Sequence, residues 1–251
     1  MTRSEAIVRY LYHSGFSVET PTRFLVFDYW ERFKRSKKPS LSRDEFLDPD
    51  RFPKEKETIV FSSHSHPDHY DPVIWEWADK VPDIHYILSD DIKVDKGIGN
   101  MKLMSPYETY MKGDLTVKTY GSTDLGVSFF VQTDRLNIFH AGDLNMWYWY
   151  YESTEEELIE DRQKFIDEME KMKDEPVDVA FFPVDPRLKE YYYLGGKYFI
   201  ELMKPDLFVP MHFGDNYRVT KDFKQICSRL PVEIAVIDRK GQTIKYEKEN
   251  V

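Results

Sequence analysis

Three histidines and two aspartates fall within ten residues, SHSHPDHYDP at 63–72, in a chain with seven histidines in all. His64, His66, Asp68 and His69 have the spacing HxHxDH. In a loop leaving a strand, alternate positions share one side, so His64 and His66 can converge on one cation. Asp68 and His69 then face a neighbouring position, where they would serve a second cation or hold a water against the first. A single HxH pair is read more simply as a polar loop. The full set directly after the apolar run TIVFSS points to metal.

Two later residues fit the same chemistry. Asp143, in IFHAGD, and His212, in FVPMHFG, each end an apolar strand at a glycine-containing turn, with Gly142 before the one and Gly214 after the other. Side chains of separate strands can meet at one sheet edge in such places. The plainer alternative for Asp143 is a turn or cap aspartate after Gly142. His140, also at a strand end, is read as a residue orienting the ligands, with direct ligation or a core role as alternatives.

The elements that must position these residues alternate along the chain. Short runs at 6–12, 16–19 and 23–27, bounded by Gly, Pro or Thr, read as a meander of strands. Residues 30–57 are charge-dense and proline-punctuated, which suits a surface excursion. TIVFSS, the histidine loop and PVIWEWADKV read as strand, loop and short helix, followed by the strand IHYILS. Strand candidates at 115–120, 127–133 and 136–139 suggest antiparallel pairing. Ser153 and Glu156 have capping-box spacing before a helix whose apolar face carries Leu158, Phe165, Met169 and Met172. Buried strands at 177–184 and 206–211 enclose a helix at 197–203, and a last helix is expected at 222–229. The pattern is α/β, with two β-rich halves flanked by helices, and a single domain over 1–251 is expected.

Composition narrows the function. With 41% hydrophobic and 16% aromatic residues the chain can bury a sizeable core. Its formal charge of -10 opposes phosphate backbones and anionic lipid surfaces, so polymeric nucleic acid is not the expected partner. A single cysteine, Cys227, excludes an internal disulfide and thiolate-only metal sites. No leader-like N-terminal segment and no apolar stretch of about 20 residues is found, so a cytoplasmic protein without a membrane span is expected. Assembly into a homo-oligomer stays open.

HxHxDH after a strand resembles the signature of the metallo-β-lactamase superfamily. The runs IFHAGD and FVPMHFG are similar to its later motifs, and Tyr12-His13-Ser14-Gly15-Phe16 with Phe27-Asp28 resembles the opening hairpin of its small bacterial metal-dependent hydrolases. That branch includes ascorbate-6-phosphate lactonase-like and phospholipase D-like enzymes. The resemblance implies a four-layer αββα sandwich with a di-metal site at one edge. It implies Asp143 as a bridging ligand, His212 as the last ligand, and Asp28, His13 and His140 behind the ligands. The implied cofactor is Zn2+, one or two ions, with Mn2+ or Fe as alternatives. One departure stands out: a histidine usual between HxHxDH and the Gly-Asp motif has no counterpart in VKTYGSTDLG, and His85 lies too early. Asp124 is read as its replacement, giving a harder, oxygen-richer site. Alternatively one site is built from Asp68, His69, Asp143 and His212, or residues 122–124 form a turn that positions substrate.

Cations in such a cup would acidify a water and polarise a carbonyl or phosphoryl oxygen, with Asp68 orienting that water. Hydrolysis of a small-molecule lactone, ester, amide, thioester or phosphodiester is therefore expected. Trp147, opening the aromatic run to Tyr151, together with Asp185 and Arg187, is expected to wall the substrate pocket, Arg187 anchoring an anion. A di-iron oxidoreductase-type site and a non-catalytic binding protein with a degenerate site are the competing functions.

Overall fold

The protein is described by a computed structural model that covers residues 4–31, 47–94 and 99–248. Residues 32–46 of the expected surface excursion thus lie outside the described residues. The chain divides into two compact units, Met1–Met104 with Arg239–Val251, and Ser105–Asp238.

In the first unit the strands are β1 (Ser4–Tyr12), β2 (Gly15–Glu19), β3 (Arg23–Phe27), β4 (Glu57–Ser62), β5 (Ile84–Ser89) and β6 (Met101–Met104), with β14 (Thr243–Lys248) added from the C-terminal segment. They form one mixed sheet in the order β14-β1-β2-β3-β4-β5-β6. The β14, β1, β2 and β3 pairs are antiparallel, while β3 to β6 run parallel. β4 is buried at every position after Glu57 and carries the apolar run Ile59, Val60 and Phe61 at its centre, as expected of a parallel strand covered on both faces. The run PVIWEWADKV forms a 3₁₀ helix, Pro72–Asp79, opened by Asp71, whose carboxylate accepts from the Val73 amide. It inserts Ile74 and Trp77 into the core, Trp77 meeting Tyr29 at 4.9 Å and Phe52 at 5.4 Å. The far end of the histidine loop is anchored by this packing.

The second unit contains β7 (Thr109–Lys112), β8 (Leu115–Tyr120), β9 (Ser128–Thr133), β10 (Leu136–His140), α1 (Glu155–Glu170), β11 (Val179–Pro183), α2 (Leu194–Met203), β12 (Leu207–Met211), α3 (Arg218–Ile226) and β13 (Glu233–Ile234). Its sheet order is β13-β12-β11-β10-β9-β8-β7. β10 to β13 are parallel, and the hairpins of β7 to β10 are antiparallel. Helix faces pack aromatic on aromatic: Phe165 of α1 meets Phe182 at 6.3 Å, Phe199 of α2 meets Phe182 at 4.7 Å, and Phe223 of α3 stacks on Phe208 at 5.1 Å.

Several expectations shift. The capping box lies one residue later, on Thr154 and Glu157, where Thr154 has the extended backbone a cap requires. The repeated S-T-E-E-E run permits both registers, and backbone geometry selects one. α2 and α3 begin earlier than expected, at Leu194 and Arg218. β7 and β14 were not anticipated, because their lysine-bearing sequences TYMK and TIKYEK carry little apolar signal. They form as edge strands by pairing with β8 and β1.

Candidate metal centre

β3 and β4 are parallel neighbours, so their carboxyl ends lie side by side, with Phe27 opposite Phe61. The next residues are Asp28 and Ser63, and the Asp28 amide donates to the Phe61 carbonyl at 2.9 Å. The Asp28 carboxylate, fully buried, accepts from the Ser63 amide and the Ser63 hydroxyl, each at 2.7 Å, and faces His69 Nδ1 at 2.7 Å. An ionised carboxylate only accepts, so His69 carries its proton on Nδ1 and presents Nε2 as its other ring nitrogen. The Ser63 hydroxyl proton goes to Asp28, so the 3.0 Å contact between Ser63 Oγ and His64 Nδ1 is donated by the imidazole. One carboxylate thereby sets the tautomer of two histidines, directly for His69 and through Ser63 for His64.

That leaves His64 Nε2 as a lone pair, 3.0 Å from His66 Nδ1. The ligating atoms of Asp68, His69 and His13 also lie within 4.8 Å of one another. His13 Nε2 is 3.3 Å from Asp68 Oδ2, and its ring sits edge-on to His69 at 5.9 Å. Burial alone would raise the Asp68 carboxyl, but the His13 hydrogen bond and the His69 and His13 charges outweigh it and hold the group well below the usual carboxylate range. Asp68 is thus ionised across the physiological range. His13 and Asp28 have left-handed backbone, with φ of 55° and 43°, a strained state that concentrates where geometry is over-determined.

The second unit repeats the logic at the carboxyl ends of β10, β11 and β12. Asp185 follows β11, and His212 follows β12 with φ of 65°. Asp185 is 1% exposed and faces His212 Nδ1 at 2.9 Å. It also accepts from Arg187 through Nε at 2.8 Å, Nη2 at 2.5 Å and the backbone amide at 2.8 Å. Burial raises the Asp185 carboxyl, while His212 and Arg187 pull it down further, so it is held below its ordinary value. With Nδ1 donating to Asp185, His212 Nε2 is a lone pair lying 3.2 Å from Asp143 Oδ1. Two acceptors at that separation need a proton or a cation between them, so the donor set fits a metal ion.

The Gly-Asp turn is held from several sides. His140, fully buried, accepts from the Gly142 amide at 3.2 Å, and Gly142 takes φ of 54°. Trp147 donates from its indole to the Asp143 carbonyl at 3.0 Å and meets His212 edge-on at 5.5 Å. Thr123 donates to the Asp143 and Asn145 carbonyls and accepts from the Asn145 amide. This clamp carries the neighbouring Asp124, whose carboxylate lies within 4.8 Å of that of Asp143. Arg187, 60% exposed, lies over Trp149 at 5.6 Å.

Sequence reasoning missed Ser63 and Thr123 as positioning groups. It also took Asp185 for a pocket residue, whereas its carboxylate lies buried beneath His212. The Ser63 signal was its place between an apolar strand and HxHxDH. Nothing local marks Thr123.

No protein-family model matches this sequence, and no curated protein matches it. Solved structures do. The chain resembles Igni18, a metallo hydrolase from the archaeon Ignicoccus hospitalis, with a TM-score of 0.66, 16% identity, and 98% of this chain and 100% of that one covered. It resembles YhfI of Bacillus subtilis, a metallo-β-lactamase fold protein, with a TM-score of 0.61, 11% identity, and 98% and 100% covered. CmlA of Streptomyces venezuelae, a diiron β-hydroxylase, matches with a TM-score of 0.54 and 13% identity, over 85% of this chain and 46% of that one. These likenesses show the metallo-β-lactamase fold, as the motif resemblance implied. Among the described residues no helix is long and apolar enough to cross a membrane.

Proposed function

We propose that this protein is a cytoplasmic metal-dependent hydrolase of small molecules, of the lactonase-like and phospholipase D-like branch. The observation that carries the reading is the repeated carboxylate–imidazole pair, Asp28 with His69 and Asp185 with His212, each directing Nε2 away from the buried acid. Such pairs are the usual support of metal-ligating histidines and are hard to account for in a purely structural loop. In this proposal His64, His66, Asp68 and His69 are the Zn2+ ligands of the first unit, and Asp124, Asp143 and His212 are those of the second. Asp124 stands in for the missing histidine, and its oxygen makes Mn2+ or Fe acceptable occupants.

Bound cations would supply Lewis acidity to a water and to the scissile carbonyl or phosphoryl group. The chain's own part is positional. Asp68, ionised and tied to His13, would orient the attacking water. Asp28 and Asp185 stabilise positive charge accumulating on His69 and His212. Trp147 and Trp149, stacked at 6.0 Å, exclude water from one side, and Arg187 above Trp149 attracts an anionic substrate group. A di-iron oxidoreductase reading is favoured by the fold shared with CmlA and the carboxylate-rich donor set.

Elemental analysis of the gently purified protein, paired with lactone, thioester and phosphodiester substrates, tests the hydrolase reading. About one to two equivalents of transition metal and turnover of one class are expected. Less than half an equivalent would overturn it. Asp143→Ala should abolish metal retention and turnover with the fold intact. Asp124→Ala should lower the stoichiometry, and unaltered stoichiometry removes Asp124 from the ligands.

A further inference from the structure

The second unit holds an open cavity of about 470 Å³ that shares no lining residue with the candidate metal ligands. Its volume is in the range of small-molecule sites, roughly 300–1,000 Å³. Its walls are aromatic: Tyr148, Tyr191, Tyr193 and Tyr198 all line it. Tyr148 and Tyr191 brace each other, with ring centroids 5.0 Å apart. Burial and neighbouring groups push the Tyr191 and Tyr198 phenols above their ordinary values, so both hydroxyls are neutral donors at physiological pH.

Charge decides the ligand class. Lys197 and Glu201 line the cavity but pair with each other at 2.5 Å, one turn apart on α2. The remaining charged lining residue is Arg162 of α1. Among the described residues it has neither an ion pair nor a hydrogen bond, although Lys164, two positions on in the same helix, pairs with Glu160 and Asp161. The cavity therefore carries one uncompensated cation within a chain of net charge -10. α2 starts at this cavity, and Tyr193 at its N-cap provides no side-chain cap. The positive end of the helix dipole adds to the same sign of potential.

We propose that this cavity is a binding site for a small aromatic monocarboxylate. Its carboxylate pairs bidentately with the Arg162 guanidinium, and its ring lies between tyrosine faces. One free cation suits a monoanion better than a phosphoryl dianion, and four tyrosines suit a flat ring better than an aliphatic chain. The site stands apart from the proposed metal chemistry, so its ligand binds whether or not metal is present.

Titration calorimetry of the full chain with benzoate tests this, with cyclohexanecarboxylate and phenol as comparison probes. Saturable 1:1 binding of benzoate is expected, with a Kd on the order of 1 mM as befits so small a probe. Cyclohexanecarboxylate should bind several-fold more weakly, and phenol should not saturate. Arg162→Ala should weaken benzoate about tenfold with an unchanged Tm, and Arg162→Lys should recover only part of the loss. Binding should survive treatment with a chelator. Non-saturable benzoate binding, equal affinity in Arg162→Ala, or loss of binding on metal removal would each overturn the proposal, the last by moving the probe to the metal centre.

Discussion

In the first unit one buried carboxylate, Asp28, sets two imidazoles, His69 directly and His64 through Ser63. In the second, Asp185 serves the single imidazole of His212 and shares its remaining capacity with Arg187, which is 60% exposed. Both acids sit at the carboxyl ends of parallel strands, yet one is sealed and the other opens to solvent through its arginine. The sealed version offers rigid donors at a cost in tolerance. The open version leaves an element beside the site that can respond to a substrate. A buried charge deprived of its partners has no water to turn to, whereas one next to an exposed guanidinium does.

The sharpest way to break this comparison is to neutralise each acid. Asp28→Asn forces an amide NH₂ against N–H or O–H donors, and should cost about 3–5 kcal/mol in urea unfolding. Metal content should fall below half of its native value. Asp185→Asn should cost only about 1–2 kcal/mol, with metal affinity reduced roughly 10–100-fold. Equal losses in the two variants would show that the units do not differ as described.

A smaller effect tests how tightly the second unit holds its Gly-Asp loop. A Cβ on Gly195 would lie 2.0 Å from Asn145 Oδ1, and Asn145 is 1% exposed. Gly195→Ala must displace that amide, and through the Thr123 clamp the loop bearing Asp143. A loss of about 1–3 kcal/mol is expected by thermal unfolding, with a fall in metal retention. Unchanged retention would uncouple Asn145 from Asp143.

The smallest effect concerns Cys227 at the end of α3, where burial pushes the thiol up to about 11. Because the thiolate is the reactive form, the native protein should resist alkylation at mildly alkaline pH and react fully once denatured. Rapid labelling of the native protein would show that this end of the second unit opens readily.

Much of the fold was legible because the first three strands, β4, β5 and α1 carry periodic apolar signal strong enough to survive without context. β7 and β14 were not, since edge strands are held by a neighbour's hydrogen bonds, and their exposed faces carry lysine and glutamate. The capping box was readable only to within a residue, because adjacent Ser153 and Thr154 satisfy the same pattern.

The donor set divides along the same line. By itself, the sequence determined the local run His64, His66, Asp68 and His69, since spacing within six residues is a property of the chain and needs no partner strand. It also marked Asp143 and His212 as strand-end candidates. Only the tertiary structure decided which acid stands behind which imidazole. Asp28 is 35 residues from Ser63 and 41 from His69, and Asp185 is 27 from His212. What brings each acid to its histidine is the parallel pairing of strands whose carboxyl ends share one edge, a long-range hydrogen-bond register that no short stretch of residues encodes.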